Sequence, residues 1–272
     1  MTFDLTQLTQ HLQHFQDFPF EDAPWFCQPL PNAPIQIYDV VPSTNALVWQ
    51  QIEEGAPEGT VAIALQQTAG KGQRGRQWQS APGGLYLSMA IAPHIAATEA
   101  MQLTLMSAWG IATVLHRYGV PVQIKWLNDL VIHGRKLGGI LAETRIRQGQ
   151  VAHAVIGVGL NWCNPVPDPG ITLRSALPQV PPESPWAIAS LEAVAAIVIR
   201  GIVGGYTYWR AAGIAALIPQ YEALLYNMGH PVEVAHGVCT IVGITETGGL
   251  RVKRSSGQEI QIPPGEIQLG YA

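Results

Sequence analysis

Charged residues are scarce in this sequence. They make up 12% of its 272 residues, about half of the share usual in soluble proteins. The 15 basic and 19 acidic residues leave a net charge of −4, so the chain lacks the overall positive field that attracts nucleic acid. Any recognition of phosphate must therefore be local, and no nucleic-acid partner is expected.

Cysteine is also rare. Cys27, Cys163 and Cys239 are far apart, odd in number and in no C-x-x-C pair, which excludes a disulfide framework and a cysteine-based zinc site. This pattern predicts a reducing compartment. Since the N-terminus has no basic segment followed by an apolar run, a secretory signal is not expected, and the predicted location is the cytoplasm.

Long uninterrupted apolar runs are missing too. The most apolar region, residues 187–206, is broken by Glu192, by Arg200 and by three glycines. It therefore falls short of the roughly 20 uninterrupted residues that a membrane span needs. A buried helix is predicted here, and no membrane partner is expected.

The most unusual stretch that the sequence does contain is a glycine-rich basic loop, Gly70-Lys71-Gly72-Gln73-Arg74-Gly75-Arg76-Gln77-Trp78. Glycines let backbone N–H groups approach a ligand, and the cations supply charge for an anion, so a loop facing phosphate is indicated. The glycines fit the dinucleotide fingerprint G-x-G-x-x-G, but that motif must lead into a helix, whereas residues 79–84 read as loop and 85–91 as strand. A Walker loop is excluded, and a solvated basic hairpin turn stays open.

The periodicity of apolar residues predicts an α+β chain. Residues 2–16 fit a short amphipathic helix, and the proline-rich stretch to residue 34 completes an N-terminal arm. A main domain over residues 35–228 combines a mixed sheet with packed helices, and residues 229–272 suit a small SH3-like β-barrel. The predicted strands are 35–40, 60–67, 85–91, 122–125, 130–133, 136–143, 151–160, 232–235, 238–244, 250–253 and 259–262. The predicted helices are 46–54, 98–118, 186–200 and 206–227.

Two further patterns have a functional and a purely structural interpretation. Gly138-Gly139 and Gly157-x-Gly159 lie on successive predicted strands, which indicates either a groove in the sheet face for a flat ligand or a crowded strand crossing. Ser43-Thr44-Asn45 precedes a predicted helix, where these side chains would serve as caps if they do not bind a ligand.

Four blocks, taken together and in order, resemble the biotin protein ligases. They are Ser43-Thr44-Asn45; Gln67 with Gly70 to Trp78; Lys125-Trp126-Leu127-Asn128-Asp129 with Arg135 to Leu141; and Gly157-Val158-Gly159-Leu160-Asn161. The resemblance runs from about residue 35 onward and implies a class II synthetase-like catalytic domain followed by an SH3-like domain. The sequence departs from the usual family pattern at Lys71, Gln73 and Leu127, and the first two changes bear on how tightly an adenylate is held.

The resemblance implies an ATP-dependent reaction in two steps. The carboxylate of biotin attacks the α-phosphorus of ATP to give biotinyl-AMP and pyrophosphate, and a lysine of a carrier protein then takes the biotinyl group. Lys136, Arg74 and Lys71, with Arg76 and Mg²⁺, are implied to offset the repulsion between the two anions.

The resemblance also implies binding roles. Ser43, Thr44, Asn45 and Gln67 would surround the ureido group of biotin. Trp78 and Asn161 would lie near adenine or ribose, and Asn128 and Asp129 would support phosphate or metal, with Asp129 as the metal ligand. The remaining implied residues for binding ATP and biotin are Gly70, Lys71, Gly72, Gln73, Arg74, Gly75, Arg76, Lys125, Lys136, Gly138, Gly139, Leu141, Gly157 and Gly159.

The implied partner is the biotin carboxyl carrier domain of acetyl-CoA carboxylase. The N-terminal 34 residues are too few for a winged helix-turn-helix, so the chain resembles the monofunctional members of the family. A lipoate or octanoyl transferase and a non-catalytic biotin-responsive regulator are the alternative functions. Exposed strand edges could pair two catalytic sheets, so a homodimer stays open.

Overall fold

The computed structural model describes residues 3–17, 20–177, 187–234, 237–267 and 269–271. Its helices are α1 (Leu5–Asp17), α2 (Thr44–Glu53), α3 (Gln102–Arg117), α4 (Leu173–Ala176), α5 (Leu191–Ala212) and α6 (Ile214–Ala223). Its strands are β1 (Ile35–Val41), β2 (Val61–Gln67), β3 (Leu85–Ile91), β4 (Ile95–Ala96), β5 (Gln123–Lys125), β6 (Asp129–Ile132), β7 (Arg135–Arg147), β8 (Gln150–Leu160), β9 (Pro231–Val234), β10 (Gly237–Ile244), β11 (Leu250–Lys253) and β12 (Glu259–Ile262).

The first eight strands form one mixed sheet. Its order is β1-β2-β3-β8-β7-β6-β5, with β4 paired to β8. β1 and β2 run parallel, and the other neighbours run antiparallel. The register places Gly139 of β7 opposite Gly159 of β8 and Leu141 opposite Gly157. The predicted α+β fold is confirmed, and the glycines of both strands meet in the middle of the sheet.

Helix α5 corrects the predicted helix boundaries in the second half of the chain. One predicted helix ends at Arg200 and the next begins at Tyr206, but α5 continues through both positions. The break lies instead at Gly213, whose φ of 79° ends α5 before α6 begins. The predicted start at residue 186 lies outside the described residues.

Glycines in the predicted gap between the two helices are needed for helix packing. A Cβ on Gly201 would lie 2.5 Å from the Cα of Ile111 in α3, and a Cβ on Gly205 would lie 2.3 Å from the carbonyl oxygen of Met106. Both distances are far below van der Waals contact. α5 can therefore approach α3 this closely only because glycine occupies these positions.

Helix α5 is buried in the protein. Among the described residues it is the one helix long and apolar enough to cross a membrane by length and composition, but 78% of its most apolar window lies inside the structure. Arg200 in this helix is 2% exposed and donates hydrogen bonds to the carbonyl oxygens of Leu12 (2.7 Å) and Gln28 (2.6 Å). The predicted buried helix is confirmed, and its arginine holds the N-terminal segment against the core.

The amphipathic helix predicted near the N-terminus is confirmed as α1. Leu8, Leu12 and Phe15 of this helix are buried, as are Phe20 and Phe26 in the proline-rich stretch that follows. Because apolar burial is the main stabilising contribution in folding, the N-terminal arm is packed on the core of the main domain.

Strands β9 to β12 form a separate four-stranded antiparallel sheet with the order β12-β11-β10-β9, as expected of a small SH3-like domain. Hydrogen bonds join this sheet to the main domain. The backbone N–H of Ile244 donates to Glu222 of α6 (2.8 Å), and the indole N–H of Trp126 donates to the carbonyl oxygen of Gly248 (2.9 Å).

Candidate functional site

A cavity of about 480 Å³ lies over the middle of the main sheet. Its walls come from the start of α2, the glycine-rich basic loop after β2, the turn between β5 and β6, and the segment after β12. The predicted site residues that line it are Ser43, Thr44, Asn45, Gln67, Lys71, Gly72, Gln73, Arg74, Arg76, Trp78, Lys125, Asn128, Asp129, Lys136, Gly139, Leu141, Gly157 and Gly159. The fold thus brings together residues that are more than a hundred positions apart.

The glycine-rich basic loop is itself a small hairpin. Lys71 pairs with Gln77 as an antiparallel bridge, and the N–H of Gly72 donates to the carbonyl oxygen of Arg76 (2.7 Å). Arg74 takes a positive φ of 57° at the tip. The hairpin interpretation is therefore correct for the backbone, yet Lys71, Arg74 and Arg76 line the cavity, so they contribute positive charge to it.

The glycines of β7 and β8 form the floor of the cavity. A Cβ on Gly157 would lie 2.1 Å from Oδ1 of Asn45, and one on Gly159 would lie 2.4 Å from the indole of Trp78. A crowded strand crossing explains only Gly138, where a Cβ would lie 2.7 Å from the carbonyl oxygen of Gly159. The floor therefore lets one polar side chain, that of Asn45, and one aromatic side chain, that of Trp78, lie directly on the sheet backbone.

One end of the cavity is rich in cations. Nζ of Lys136 lies 2.7 Å from Oδ1 of Asp129 and 5.2 Å from the centre of the Trp78 ring. Nζ of Lys125 donates to the carbonyl oxygen of Leu269 at 2.6 Å and lies 4.1 Å from the centre of the Tyr271 ring. Five cationic side chains in all line the cavity, namely Lys71, Arg74, Arg76, Lys125 and Lys136.

Burial changes the chemistry of two groups at this end. Desolvation lowers the pKa of Lys125, and the nearby charge of Asp129 opposes that shift. Desolvation and then Asp129 raise the pKa of Tyr271, so its hydroxyl stays protonated at neutral pH and donates to Oδ2 of Asp129. Asp129 therefore accepts from Lys136 on one oxygen and from Tyr271 on the other.

The opposite end of the cavity is polar and uncharged. Thr44 donates its backbone N–H to Oε1 of Gln67 (2.9 Å), and Nε2 of Gln67 donates to Oγ of Ser80 (2.8 Å). The side chains of Thr44 and Asn45 are both hydrogen-bonded to Ser88. Ser43 occupies the N-cap position of α2 without a side-chain capping bond, so capping does not account for this block.

Four residues implied by the sequence lie outside the described lining of the cavity, namely Gly70, Gly75, Gly138 and Asn161. A Cβ on Gly70 would lie 2.6 Å from Oγ of Ser80, so this glycine allows the loop to pack. Asn161 is buried and its Nδ2 donates to the carbonyl oxygen of Lys136 at 3.3 Å. Asn161 therefore stabilises the backbone of Lys136. Contact of Asn161 with adenine or ribose stays a prediction.

The side chain of Asn128 is also used to hold backbone. Its Nδ2 donates to the carbonyl oxygen of Ile140 (2.7 Å), and the N–H of Ile140 donates back to the carbonyl oxygen of Asn128 (3.0 Å). This reciprocal pair fixes the turn that carries Asp129 against β7.

Sequence reasoning missed four residues of the site: Ser80, Ser88, Glu143 and Tyr271. Ser88 is the one small polar residue in the otherwise apolar strand Leu85–Ile91 and is fully buried, which is a usable signal for a functional or hydrogen-bonded side chain. Glu143 and Tyr271 give no such signal, because they are 98 and 142 positions from their hydrogen-bond partners.

The described residues offer little for a metal ion. Asp129 is the one carboxylate among the described residues that line the cavity, and both of its oxygens already have partners. No group of three or more His, Cys, Asp or Glu residues suited to a metal is found in the described part of the chain. Because Mg²⁺ commonly binds through one or two carboxylates plus substrate phosphates, this donor set fits a metal that arrives with a nucleotide.

Comparisons with known proteins show which family the chain resembles. The model of the biotin/lipoate A/B protein ligase family matches residues 37–161, which hold all four sequence blocks. The bifunctional ligase/repressor BirA of Bacillus spizizenii is 37% identical over 125 residues, covering 45% of this chain and 38% of that protein. The chain thus matches well under half of the length of that relative.

A longer alignment and a solved structure extend the similarity. The structure of the biotin protein ligase from Aquifex aeolicus in complex with biotin and ATP covers 88% of this chain and 99% of its own, with a TM-score of 0.69 at 24% identity, so it supports the fold. The bifunctional ligase/repressor BirA of Salmonella typhimurium is 37% identical over 262 residues, covering 92% of this chain and 79% of that protein. At that identity and coverage, the chain belongs to the biotin protein ligase family.

Proposed function

We propose that this protein is an ATP-dependent biotin protein ligase, which forms biotinyl-AMP and then transfers biotin to a lysine of a carrier protein. The observation that carries the proposal is the division of one cavity into a neutral polar end and a cationic end across a glycine floor. Biotin has the matching division, because a ureido group lies at one end of an apolar body and a carboxylate at the other.

The cationic end suits the first step of this reaction. A carboxylate and a triphosphate repel each other, so the site must supply positive charge where they meet. Lys136, Lys125 and Arg76 line the cavity at this end, and Lys136 is already paired with an anion, Asp129, at 2.7 Å. An incoming phosphate or carboxylate would therefore meet a lysine whose ammonium group is already oriented.

The chemistry needs positioning and charge from the chain. Binding both substrates in one cavity sets the carboxylate beside the phosphorus, and proximity of this kind lowers the barrier. Mg²⁺ bound to the nucleotide would neutralise further phosphate charge, with Asp129 as the protein residue placed to hold it. The adenylate is itself the activated species, so the transfer to lysine requires no covalent enzyme intermediate.

The neutral polar end and the glycine floor suit the body of biotin. Thr44 and Gln67 present hydrogen-bonding groups at that end, where the ureido group would bind. The absence of side chains at Gly157 and Gly159 lets Asn45 and Trp78 lie close against the sheet, and both line the cavity in which the bicyclic ring would bind. Few polar groups placed in an apolar cleft are typical of sites for small organic ligands.

The partner and the cellular location follow from the proposed reaction. The acceptor would be the biotin carboxyl carrier domain of acetyl-CoA carboxylase, and the protein would act in the cytoplasm, where the three cysteines remain reduced. All three cysteines are free in the structure.

The deciding experiment is mass spectrometry of a carrier domain incubated with the protein, biotin and MgATP. The expected result is the added mass of one biotinyl group on one lysine, and the carrier with that lysine changed to arginine should stay unmodified. A parallel incubation with lipoate or octanoate tests the rival acyl transfer. Modification by lipoate but not by biotin would contradict the proposal.

A further inference from the structure

A chain of hydrogen bonds runs behind the neutral polar end of the cavity. Nδ2 of Asn45 donates to Oε2 of Glu143 on β7 (2.8 Å). Oγ of Ser88 on β3 lies 2.6 Å from Oδ1 of Asn45 and 2.7 Å from Oγ1 of Thr44. Ser88 is fully buried, and neither it nor Glu143 is among the described residues that line the cavity. Both therefore act on a ligand only through Thr44 and Asn45.

The direction of each hydrogen bond in this chain follows from donor and acceptor counts. A carboxylate only accepts, so Asn45 turns its NH₂ group to Glu143 and its Oδ1 to Ser88. Ser88 has a single hydroxyl hydrogen, and Oδ1 of Asn45 cannot donate, so Ser88 must donate to Asn45.

The hydroxyl of Thr44 is then fixed as well. Its oxygen lies 2.7 Å from Oγ of Ser88, a distance at which two oxygens need a hydrogen between them. Since the hydrogen of Ser88 is already used, Thr44 must donate its own to Ser88. The contact of Thr44 Oγ1 with Oε1 of Gln67 is longer, at 3.2 Å. Toward the cavity, the hydroxyl of Thr44 therefore presents only lone pairs.

Gln67 presents a hydrogen-bond donor to the cavity, whereas Thr44 presents an acceptor. Its Oε1 accepts the backbone N–H of Thr44 at 2.9 Å, and its Nε2 donates to Ser80 at 2.8 Å, whose hydroxyl donates in turn to the carbonyl oxygen of Trp78 at 3.1 Å. A backbone donor and a backbone acceptor thus fix the orientation of this amide. One N–H of Nε2 remains for a ligand, beside the acceptor at Thr44.

We propose that Glu143 and Ser88 are positioning residues that set the hydrogen-bond polarity of the site, with an acceptor at Thr44 and a donor at Gln67. A site of this polarity selects a ligand that presents an N–H group next to a C=O group. The inference rests on the proposed function, in which the ureido group of biotin supplies both. The specificity of the site would then depend on the carboxylate of Glu143, which the ligand does not contact.

Replacing Glu143 by glutamine keeps the size and shape of the side chain, but the side chain no longer determines whether Thr44 accepts or donates. The amide introduced by Glu143→Gln can donate to Oδ1 of Asn45, so Asn45 can turn over and donate to Ser88. Ser88 then donates to Thr44, and the Thr44 hydroxyl is free to donate into the cavity. In this variant the polarity at Thr44 is no longer fixed.

Calorimetric titration of the full chain without ATP tests this inference. The ligands are biotin and its two cyclic carbamate analogues, in each of which a ring oxygen replaces one ureido N–H. The wild type should bind biotin about tenfold or more tighter than the carbamate whose oxygen faces Thr44, since two acceptors would then oppose each other. Glu143→Gln should weaken biotin binding about tenfold and reduce that preference at least threefold, and Ser88→Ala should weaken biotin binding similarly.

Glu53→Gln is the matched control, because Glu53 is an exposed carboxylate that pairs with Arg145 at 2.6 Å on the surface. It should keep both the affinity and the preference of the wild type. If the wild type binds biotin and Glu143→Gln behaves like Glu53→Gln, the inference is overturned while the proposed function stands. A wild type that binds no biotin overturns both.

Discussion

At the scale of single residues, the ion pair between Lys136 and Asp129 is the feature that prepares the cavity for anions. The two side chains are 29% and 15% exposed, so the lysine is partly desolvated before any substrate arrives. A lysine held in place by a carboxylate and by the faces of two aromatic rings has little freedom to lose when phosphate binds. Positive charge that is already oriented stabilises a transition state more than mobile charge does.

Replacement of Lys136 by alanine should therefore remove a main source of charge stabilisation. We expect biotin-dependent exchange of pyrophosphate into ATP to fall about 10²-fold or more, the usual scale for removing one such group. Lys253→Ala, at an exposed position of β11, is the control and should keep the wild-type rate. An exchange rate in Lys136→Ala equal to that of the control would contradict the assigned role.

Lys125 gives the site a pH dependence of its own. Because desolvation lowers its pKa, Lys125 loses its proton at a lower pH than an exposed lysine does. As the pH rises through that lowered pKa, one positive charge leaves the cavity, and the KM for ATP should rise. Lys125→Arg keeps its charge to a higher pH, so its KM should rise less over the same alkaline range.

Pyrophosphate exchange measured from neutral to alkaline pH, with ATP varied at each pH, tests this prediction. Lys253→Arg makes the same substitution at an exposed position and should follow the wild-type profile. Identical profiles for Lys125→Arg and the wild type would show that another group causes the alkaline rise.

At the scale of whole elements, the close packing of α5 on α3 depends on glycines at the point where the two helices cross. A Cβ on Gly110 of α3 would lie 2.0 Å from the carbonyl oxygen of Gly201 in α5, so both helices supply glycine at the crossing. Glycine inside a helix costs about 1 kcal/mol relative to alanine. Here the close contact of two long buried helices offsets that cost.

Gly110→Ala should force the two helices apart. We expect the free energy of unfolding to fall by about 3 kcal/mol, at the upper end of the range for overpacking a core, in urea denaturation followed by circular dichroism. Thr207→Ala, at a half-buried position of α5, is the control and should change the free energy by less than about 1 kcal/mol. A stability of Gly110→Ala within that smaller range would mean that the helices can separate at little cost.

The same crossing shows which parts of the fold the sequence can and cannot predict. Strand Leu85–Ile91 was predicted to the residue, and the bounds of β1 and β2 differ from the predicted ones by a single residue, because short apolar runs between turn residues are a local signal. The predicted gap between two helices at residues 201–205 was wrong, and three glycines of α5 lie within it. Only the distant partner α3 shows that they permit close packing.

In the site, too, local sequence signals could be read and contacts between distant residues could not. The cations and glycines of the loop from Gly70 to Trp78 stand together in the sequence, so their common location could be predicted. Glu143 and Ser88 are single residues in strands, and their roles depend on their distances from Asn45 and Thr44. The pattern of apolar and polar residues along the sequence does not reveal those distances. A polar residue in an apolar strand, such as Ser88, is the nearest that a single sequence comes to revealing them.

At the scale of the whole molecule, the cationic end of the cavity is closed by chain that follows the small C-terminal sheet. Lys125 donates to Leu269, and Tyr271 donates to Asp129 while its ring covers Lys125. Trp126, next to Lys125, donates to Gly248 within that sheet. The C-terminal domain therefore forms part of the site and holds the charged turn between β5 and β6 in place.

Removal of the Tyr271 hydroxyl should weaken the binding of ATP at the cationic end of the cavity without changing the binding of biotin. Tyr271→Phe keeps a ring beside Lys125 but leaves Oδ2 of Asp129 without its donor, so the carboxylate opposes phosphate more strongly. We expect the KM for ATP to rise about 3- to 10-fold, the range for loss of one typical hydrogen bond. The affinity for biotin measured without ATP should not change, because the neutral polar end lies at the other side of the glycine floor.

Tyr226→Phe, in the chain just before the C-terminal sheet, is the matched control, and its KM for ATP should equal that of the wild type. Pyrophosphate exchange gives the KM, and calorimetric titration gives the affinity for biotin. If Tyr271→Phe weakened biotin binding and left the KM for ATP unchanged, the segment after β12 would act on the acid substrate and not on the nucleotide. Because the described polar and ring contacts of Tyr271 are with Asp129, Lys125 and, at a longer distance, Lys136, the charge of these side chains is the route by which it can affect ATP.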